Sequence, residues 1–323
     1  MREVRVDRLR PPAGYPDDAL RLTGSSDGLQ GAASTLTATG VSAEVLRRTG
    51  HFAQAAERFR KVATGAERFR QPAILCWGLW GQASSLRNQA RYPESAALYL
   101  DALAAARAAN VVLCERWCLA GLAEIDRMQG RLPEALAVHE ALVDLFASSA
   151  DGRGLGWALS GAAQIRLNLG HLGLSRDTFR QAEEVARAVG DVPATAYAVR
   201  GQAEVALRRE DLGQAKRMAE AACRLFVQAG YDIGKAYALR TLSHVALADR
   251  QPIAALAPAL EAEAIFKRMN KPRGIAYLRQ TMRLISRVLP DQVAEDGPSE
   301  TRIAAKYGIW LAPPPSLVSR QSG

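Results

Sequence analysis

Cysteine, histidine and aromatic residues are scarce in this chain. Its 323 residues include four cysteines and four histidines, and aromatic residues make up 6%. The cysteines form no Cys-x-x-Cys pair and are too few for a disulfide framework in a chain of this length. We therefore expect reduced, buried thiols. The alternative, a metal site on Cys114, Cys118 and His139, has an incomplete ligand set, so we predict no metal and no cofactor.

Long apolar runs and catalytic signatures are also missing. No apolar stretch reaches the roughly 18 residues that a membrane span needs. Residues 1–10 carry charges but lack the apolar core of a signal peptide, so we expect a cytoplasmic protein without a membrane partner. The chain has no phosphate-binding glycine loop, dinucleotide fingerprint, zinc-protease motif or nucleophile elbow. We predict that it is not an enzyme and has no catalytic residue; a catalytic His244 is a minor alternative.

A period of 40 residues dominates what is present. Apolar residues make up 48% of the chain. We call residues at equivalent positions of successive periods a column. One aromatic column and two columns of small residues repeat at this spacing: Trp77, Trp117, Trp157, Tyr197, Tyr237 and Tyr277; Gly81, Gly121, Gly161 and Gly201; and Ala83, Ala123, Ala163, Ala203 and Ser243. Repeats of this kind predict stacked supersecondary units, since one unit cannot bury its apolar face alone.

Each period reads as two helices. In residues 114–149, a first helix near Cys114–Gln129 has apolar residues at helical spacing, Gly130 breaks it, and Pro133 opens the second helix. Second helices are expected to end at residues that tolerate the left-handed conformation, in the column Asn110, Gly190, Gly230 and Asn270. The small columns predict close helix crossings.

These residues resemble the tetratricopeptide repeat in a long-helix variant. The resemblance is carried by Leu122-Ala123 followed by Gly130, and by Ala135 with His139 four residues later. It covers residues 34–289 and implies an all-α fold, a right-handed α-solenoid of about six stacked helix-turn-helix pairs with a terminal capping helix.

The two ends lie outside the repeats. We predict a flexible N-terminal arm over residues 1–33 and a proline-rich tail over 290–323, with a short helix from Glu300 to Lys306. Trp310 of this tail is expected to dock on the last helix pair as a cap. Self-association through an uncovered solenoid end is the alternative.

The resemblance also implies that first helices line a concave, ligand-binding groove. The candidate ligand-binding residues, taken from the columns that face the groove in the family, are Trp80, Asn88, Glu124, Gln164, Asn168, Arg200, Glu204, Arg208, Arg240 and His244. The C-terminal half of this groove is charged, and guanidinium groups on rigid helices can grip a carboxylate. We therefore expect a protein or peptide partner with an acidic or carboxylate-bearing segment. In the plainer interpretation, Arg200, Glu204 and Arg208 are paired on a solvated helix face.

The net charge of +9 permits an acidic partner without identifying one. Arg279, Arg283 and Arg287 form a stripe on one helix face, which we interpret either as a solvated end of the repeat array or as an anion-binding site. No nucleic-acid motif accompanies the aromatic column, which we interpret as packing between repeats rather than a base-stacking platform. The leading hypothesis is a binding scaffold or adaptor; the alternatives are a ligand-sensing regulator that acts through a partner and an accessory enzyme with chemistry in the groove.

Overall fold

The computed structural model of the protein describes residues 27–289 and 299–314, and side chains from residue 31 onward. These residues form fourteen helices and no strand, which confirms the predicted all-α class. They divide into two compact units, residues 1–125 and 126–323, each considered by itself. Unit 1 contains α1 (Asp27–Arg48), α2 (Phe52–Arg68), α3 (Pro72–Asn88), α4 (Tyr92–Ala108) and most of α5 (Val112–Gln129). Unit 2 contains the last turn of α5, α6 (Leu132–Ser148), α7 (Gly152–Asn168), α8 (Leu172–Ala188), α9 (Val192–Arg208), α10 (Leu212–Gln228), α11 (Asp232–Ala248), α12 (Pro252–Arg268), α13 (Pro272–Ser286) and α14 (Glu300–Tyr307).

The 40-residue period consists of two 20-residue steps. In unit 2, for example, α8, α9 and α10 each contain 17 residues, and three residues separate consecutive helices. Each turn has a left-handed residue, and these residues fall at every twentieth position: Gly50, Arg70, Ala90, Asn110, Gly130, Ala150, Gly170, Gly190, Glu210, Gly230, Arg250 and Asn270. The next N–H bonds back to the carbonyl five residues earlier, as in Asp151 to Phe146 at 3.1 Å. This is a Schellman closure, which satisfies carbonyls at the helix end.

Contacts between an aromatic ring and a glycine join the second helix of one pair to the first helix of the next. A Cβ added to Gly201 in α9 would lie 2.2 Å from the buried ring of Phe179 in α8. The same relation holds for Gly81 with Phe59, Gly121 with Tyr99, and Gly161 with His139. Glycine is therefore required here for close approach of the ring rather than for backbone freedom.

A second set of contacts follows another column of the 40-residue period, Ala106, Phe146, Ala186, Phe226 and Phe266, which we call the bulky column. Gly154, Gly234 and Gly274 lie against the rings of Phe146, Phe226 and Phe266, eight residues earlier in each case. Where the bulky column has alanine instead, at Ala186, the residue eight positions later is Ala194. The two positions therefore compensate in size, which keeps the interior close-packed.

Within a pair, the small columns carry a buried hydrogen bond. Ser175 Oγ in α8 donates to the carbonyl of Ala163 in α7 at 2.9 Å, and Ser243 Oγ in α11 donates to the carbonyl of Ala255 in α12 at 2.9 Å. The serine lies on either helix of the pair, and both serines are fully buried. Small side chains let the backbones approach closely enough for this bond to form.

The ends of the repeat array differ from the predicted boundaries in detail. Helix α1 begins at Asp27, within the segment assigned to the arm, because Ala33 packs against Val62 and Ala66. The terminal helix α14 matches the predicted short helix and packs against α13, where Glu300 forms an ion pair with Arg283. The rest of the predicted arm, residues 1–26, and residues 290–298 and 315–323 of the predicted tail lie outside the described residues.

Two arginines of the stripe on α13 lie close to glutamate side chains. Arg279 lies 3.6 Å from Glu263 of α12, and Arg283 pairs with Glu300, whereas Arg287 is exposed.

Within 27–289 and 299–314, none of the helices combines the length and the hydropathy that crossing a bilayer would require.

Candidate functional site

The candidate residues of unit 1 lie in a packed aromatic and polar cluster. Trp80 is only 7% exposed, its ring lies 5.5 Å from that of Trp77, and Arg47 stacks over it at 5.5 Å. Glu124 faces Arg87 at 3.6 Å, and the Asn88 amide donates to the Ser84 carbonyl at 2.9 Å. Trp80 therefore contributes to packing, while Asn88 and Glu124 are half-buried polar groups beside it.

In unit 2, the structure brings three candidate residues of α7 and α9 into one hydrogen-bonded network. Arg200 pairs with Glu204 at 2.5 Å and donates to Gln164 Oε1 at 3.0 Å. The Gln164 amide donates to the other oxygen of Glu204 at 3.3 Å. The ion pair predicted from the i, i+4 spacing is thus present, but its side chains are 12% and 18% exposed and do not lie on a solvated face.

Arginine charge keeps Glu204 ionised. Burial by itself would raise the pKa of this carboxyl, but Arg200, Arg240 and Arg208, with the hydrogen bond from Gln164, hold the pKa below its usual value. Arg208 donates to the backbone carbonyl of Leu167 at 2.7 Å rather than to an acid. Asn168, the neighbouring candidate, is half-buried at the end of α7.

The remaining candidates, Arg240 and His244, lie on α11 and face α13. Arg240 donates to Thr281 Oγ1 at 3.2 Å and stacks over the ring of Tyr277 at 4.6 Å. His244 Nε2 lies 2.8 Å from Thr281 Oγ1. Burial, reinforced by the charges of Arg240 and Arg208, lowers the pKa of His244 well below its usual value. This imidazole is therefore neutral at physiological pH.

Three residues of α13 extend the site beyond the candidates found by sequence. Buried Arg273 donates to the carbonyl of Met128, at the end of α5, at 3.0 Å and to Tyr277 Oη at 3.2 Å. Gln280 lies 40 residues after Arg240, in the same groove column, and its Oε1 is 3.4 Å from Arg240. The period would have identified Tyr277 and Gln280, whereas no repeat column marks Arg273. We give the name arginine network to Arg200, Arg208, Arg240 and Arg273 together with Glu204.

A short segment of the tail lies against this site. The backbone N–H of Trp310 donates to the Met128 carbonyl at 2.8 Å, and the backbone N–H of Ala312 donates to Tyr277 Oη at 3.2 Å. Gln280 Nε2 in turn donates to the Ala312 carbonyl at 3.3 Å. Trp310 thus contacts the end of α5 and the start of α6, while Ala312 contacts α13, the first helix after the last full pair.

Two buried donors, one in the network and one in the neighbouring helix α7, have no hydrogen-bond partner among the described residues. Arg200 Nε and Ser160 Oγ are buried and unsatisfied among the described residues. Ser160 and Arg200 occupy successive positions of one groove column, 40 residues apart. An unpaired buried donor costs about 1–3 kcal/mol, so an acceptor supplied by a ligand would be favourable here once the local packing shifts to admit it.

The described site combines several guanidinium groups with one carboxylate, and two other kinds of chemistry can be compared with it. No group of three His, Cys, Asp or Glu side chains within them could hold a metal ion. Burial, together with hydrogen bonding between the Cys114 thiol and Cys118 and Cys76, raises the pKa of Cys114 well above its usual value, so this thiol is protonated rather than an activated nucleophile.

Comparisons with known proteins agree with the helical architecture. No protein-family model and no curated protein matches the sequence. The structure is similar to that of a Rap protein complexed with competence and sporulation factor, with a TM-score of 0.62 and 10% identity over 90% of this chain and 84% of that one. It is also similar to a signal-transduction ATPase with a tetratricopeptide repeat sensor from Pyrococcus horikoshii, with a TM-score of 0.50 and 15% identity over 91% of this chain and 44% of that one. BtubC from P. vanneervenii matches with a TM-score of 0.48 and 16% identity over 69% of this chain and 91% of that one.

The fold therefore defines a class, that of all-α proteins built from repeated helix pairs, similar to tetratricopeptide repeat structures. At these identities the similarity concerns the fold alone. The particular ligand has to be argued from the side chains of this chain.

Proposed function

We propose that unit 2 binds an extended protein or peptide segment that presents an acidic side chain or a free carboxylate, and that the chain acts as a non-catalytic scaffold or adaptor. The observation that carries this proposal is the charge of the arginine network. Four guanidinium groups lie with a single ionised carboxylate, Glu204, in this described network.

The hydrogen bonds of the network also favour an anion, because their acceptors are mostly uncharged. Arg208, Arg240 and Arg273 donate to backbone carbonyls or neutral side chains, so none of these three forms a direct ion pair within the described network, and Glu204 supplies one negative charge for four guanidinium groups. Burial lowers the pKa of Arg240, which reflects the cost of holding its charge away from water. A ligand carboxylate would offset that cost and could accept two parallel hydrogen bonds from one guanidinium.

The second candidate function is a regulator that senses such a segment and passes the signal to a partner. Two proteins that share the fold, a Rap protein complexed with competence and sporulation factor and an ATPase with a repeat sensor, suggest this candidate by analogy of fold. Both candidate functions use the same site, and they differ in whether binding at that site changes the activity of a partner.

The test uses the full chain and an array of short synthetic peptides that vary in acidic content and carry a free or amidated C-terminus. Arg208→Gln combined with Arg240→Gln removes two charges of the network. Arg287→Gln combined with Arg302→Gln removes two exposed charges and serves as the control.

Since hydrogen bonds to charged groups contribute roughly 1.5–3 kcal/mol, we expect the network variant to bind acidic peptides at least tenfold more weakly. The control should bind as the wild type does. Equal weakening in both variants would reveal nonspecific attraction by the net charge and would contradict the proposal.

A further inference from the structure

The tail segment 309–314 lies against the end of α5, the start of α6 and helix α13, and α13 carries Arg273 of the arginine network. Its hydrogen bonds reach the Met128 carbonyl and the Gln280 side chain, and these two residues fall in two of the groove columns. The residues between Gly308 and Pro314 form neither helix nor strand. The segment thus covers part of the surface that these columns form.

The ring of Trp310 lies against the turn at Gly130, a residue without a side chain, and we call this space the aromatic slot. A Cβ at Gly130 would lie 2.8 Å from the indole Cγ and Cδ1, so this turn accommodates the ring only because it has glycine. The ring also packs against the buried cluster of Leu132, Ala135 and Ile165. The slot is therefore shaped for a large aromatic side chain, the kind of anchor that dominates many interfaces.

The backbone of Ala312 is held by side chains. Its N–H donates to Tyr277 Oη and its carbonyl accepts from Gln280 Nε2. The side chain of Ala312 makes neither bond, so this part of the site recognises an extended backbone two residues after the aromatic anchor. Any peptide with a residue other than proline at that position could reproduce both bonds.

Charge distinguishes the segment from the proposed partner. Residues 309–314, Ile-Trp-Leu-Ala-Pro-Pro, carry no charge, although Tyr277 beside them is flanked by Arg240 and Arg273 at 4.6 and 5.1 Å. The tail therefore fills the aromatic slot and the backbone contacts without neutralising the arginine network. A competitor that also supplied a carboxylate would gain an interaction that the tail lacks.

We propose that residues 309–314 are a built-in ligand of the unit 2 groove, and that the external partner is an extended segment with an aromatic anchor followed by an acidic group, which displaces them. This inference rests on the proposed function, since it identifies the partner class and the regulation of the same site. The free protein is then held closed by its own tail, and binding exchanges one segment for another.

The test is a fluorescence-polarisation measurement with two labelled peptides, the sequence of residues 308–314 (Gly-Ile-Trp-Leu-Ala-Pro-Pro) and the same peptide with glutamate in place of Pro313. The proteins are the full-length wild type, Trp310→Ala, Ala312→Pro, and Thr301→Ala as an exposed control on α14. Trp310→Ala empties the aromatic slot, and Ala312→Pro removes the N–H that Tyr277 binds.

Apparent affinity falls in proportion to the fraction of protein whose groove is open. We expect both peptides to bind Trp310→Ala and Ala312→Pro about tenfold more tightly than they bind the wild type and Thr301→Ala. The glutamate peptide should bind more tightly than the neutral one, and a peptide with alanine in place of tryptophan should lose binding.

Equal affinity for wild type and tail variants would overturn the built-in ligand and leave the groove as a peptide site. Absence of binding to every variant would also overturn it, and the array with the Arg208 and Arg240 variants would then show separately whether acidic peptides bind the groove. If Trp310→Ala does not fold, Ala312→Pro decides; loss of folding in both would identify the segment as a permanent structural strap and overturn its exchange for a partner.

Discussion

Replacing Gly201 with alanine tests the reasoning about ring-to-glycine contacts. The new Cβ would lie 2.2 Å from Cζ of Phe179, where van der Waals contact requires about 3.6 Å. Phe179 is 1% exposed and packs in a buried cluster with Leu159, Leu167 and Ala182. Overpacking of this kind costs about 3 kcal/mol, while glycine-to-alanine in a helix gains about 1 kcal/mol, so we expect a net loss of about 2 kcal/mol in the free energy of unfolding.

The measurement is urea denaturation followed by circular dichroism, with Gly173→Ala as the matched control. Gly173 lies in the exposed first turn of α8, and a Cβ there would meet nothing within 4 Å, so the same change should raise the midpoint slightly. Phe179→Leu should recover part of the loss in Gly201→Ala, because the two residues are in contact. Equal midpoints for Gly201→Ala and Gly173→Ala would refute the argument.

Lowering the pH from about 7.5 to about 5.5 should destabilise the fold through His244, because the pKa of this imidazole is lower in the folded than in the unfolded protein. Its contribution to stability is complete above the unfolded pKa of about 6.5. At lower pH the free energy of unfolding decreases by at most roughly 1.4 kcal/mol per pH unit. His244→Gln should flatten this decline in denaturation midpoints, and an unchanged slope would contradict the assignment. Ala150→Gly should stabilise by about 0.5–1 kcal/mol, because relief of about 1–2 kcal/mol of left-handed strain exceeds the entropy cost, whereas Ala147→Gly, one turn earlier in α6, should destabilise by about 1 kcal/mol. Ser243→Ala should cost about 1 kcal/mol by removing the bond to the Ala255 carbonyl, measurable as a lower midpoint; no change would mean that this bond contributes nothing net.

The fold was predictable because its period is carried by side-chain size. Columns such as Gly81 to Gly201 keep one size over four repeats, and helix geometry converts that spacing into a helix pair. The turns were harder to assign, since Ala150 and Glu210 adopt the left-handed conformation without a residue type that favours it. There, the packing of the flanking helices overrides local preference.

The candidate site was predictable only in part. The repeat columns place Gln164, Arg200 and Glu204 near one another, as the structure does, because residues 40 and 36 apart face each other on neighbouring first helices. Burial of the pair depends on the neighbouring helices and could not be read from spacing. The position of Trp310 beside Gly130 joins residues far apart in sequence outside the repeat, and no period records such a contact.

The ring-to-glycine contacts determine where repeats of this chain can be exchanged or duplicated. Phe179 with Gly201, and Phe226 with Gly234, each connect the second helix of one pair to the first helix of the next. A recombination point between pairs would separate a large ring from its glycine and produce a clash or a cavity. A point inside a pair, at Gly170 or Glu210, keeps each ring with its glycine, but it interrupts other packing, such as that of Leu159 and Leu167 against Phe179. The block that retains its ring-to-glycine contact is therefore residues 171–210, offset by one helix from the repeat that the sequence displays.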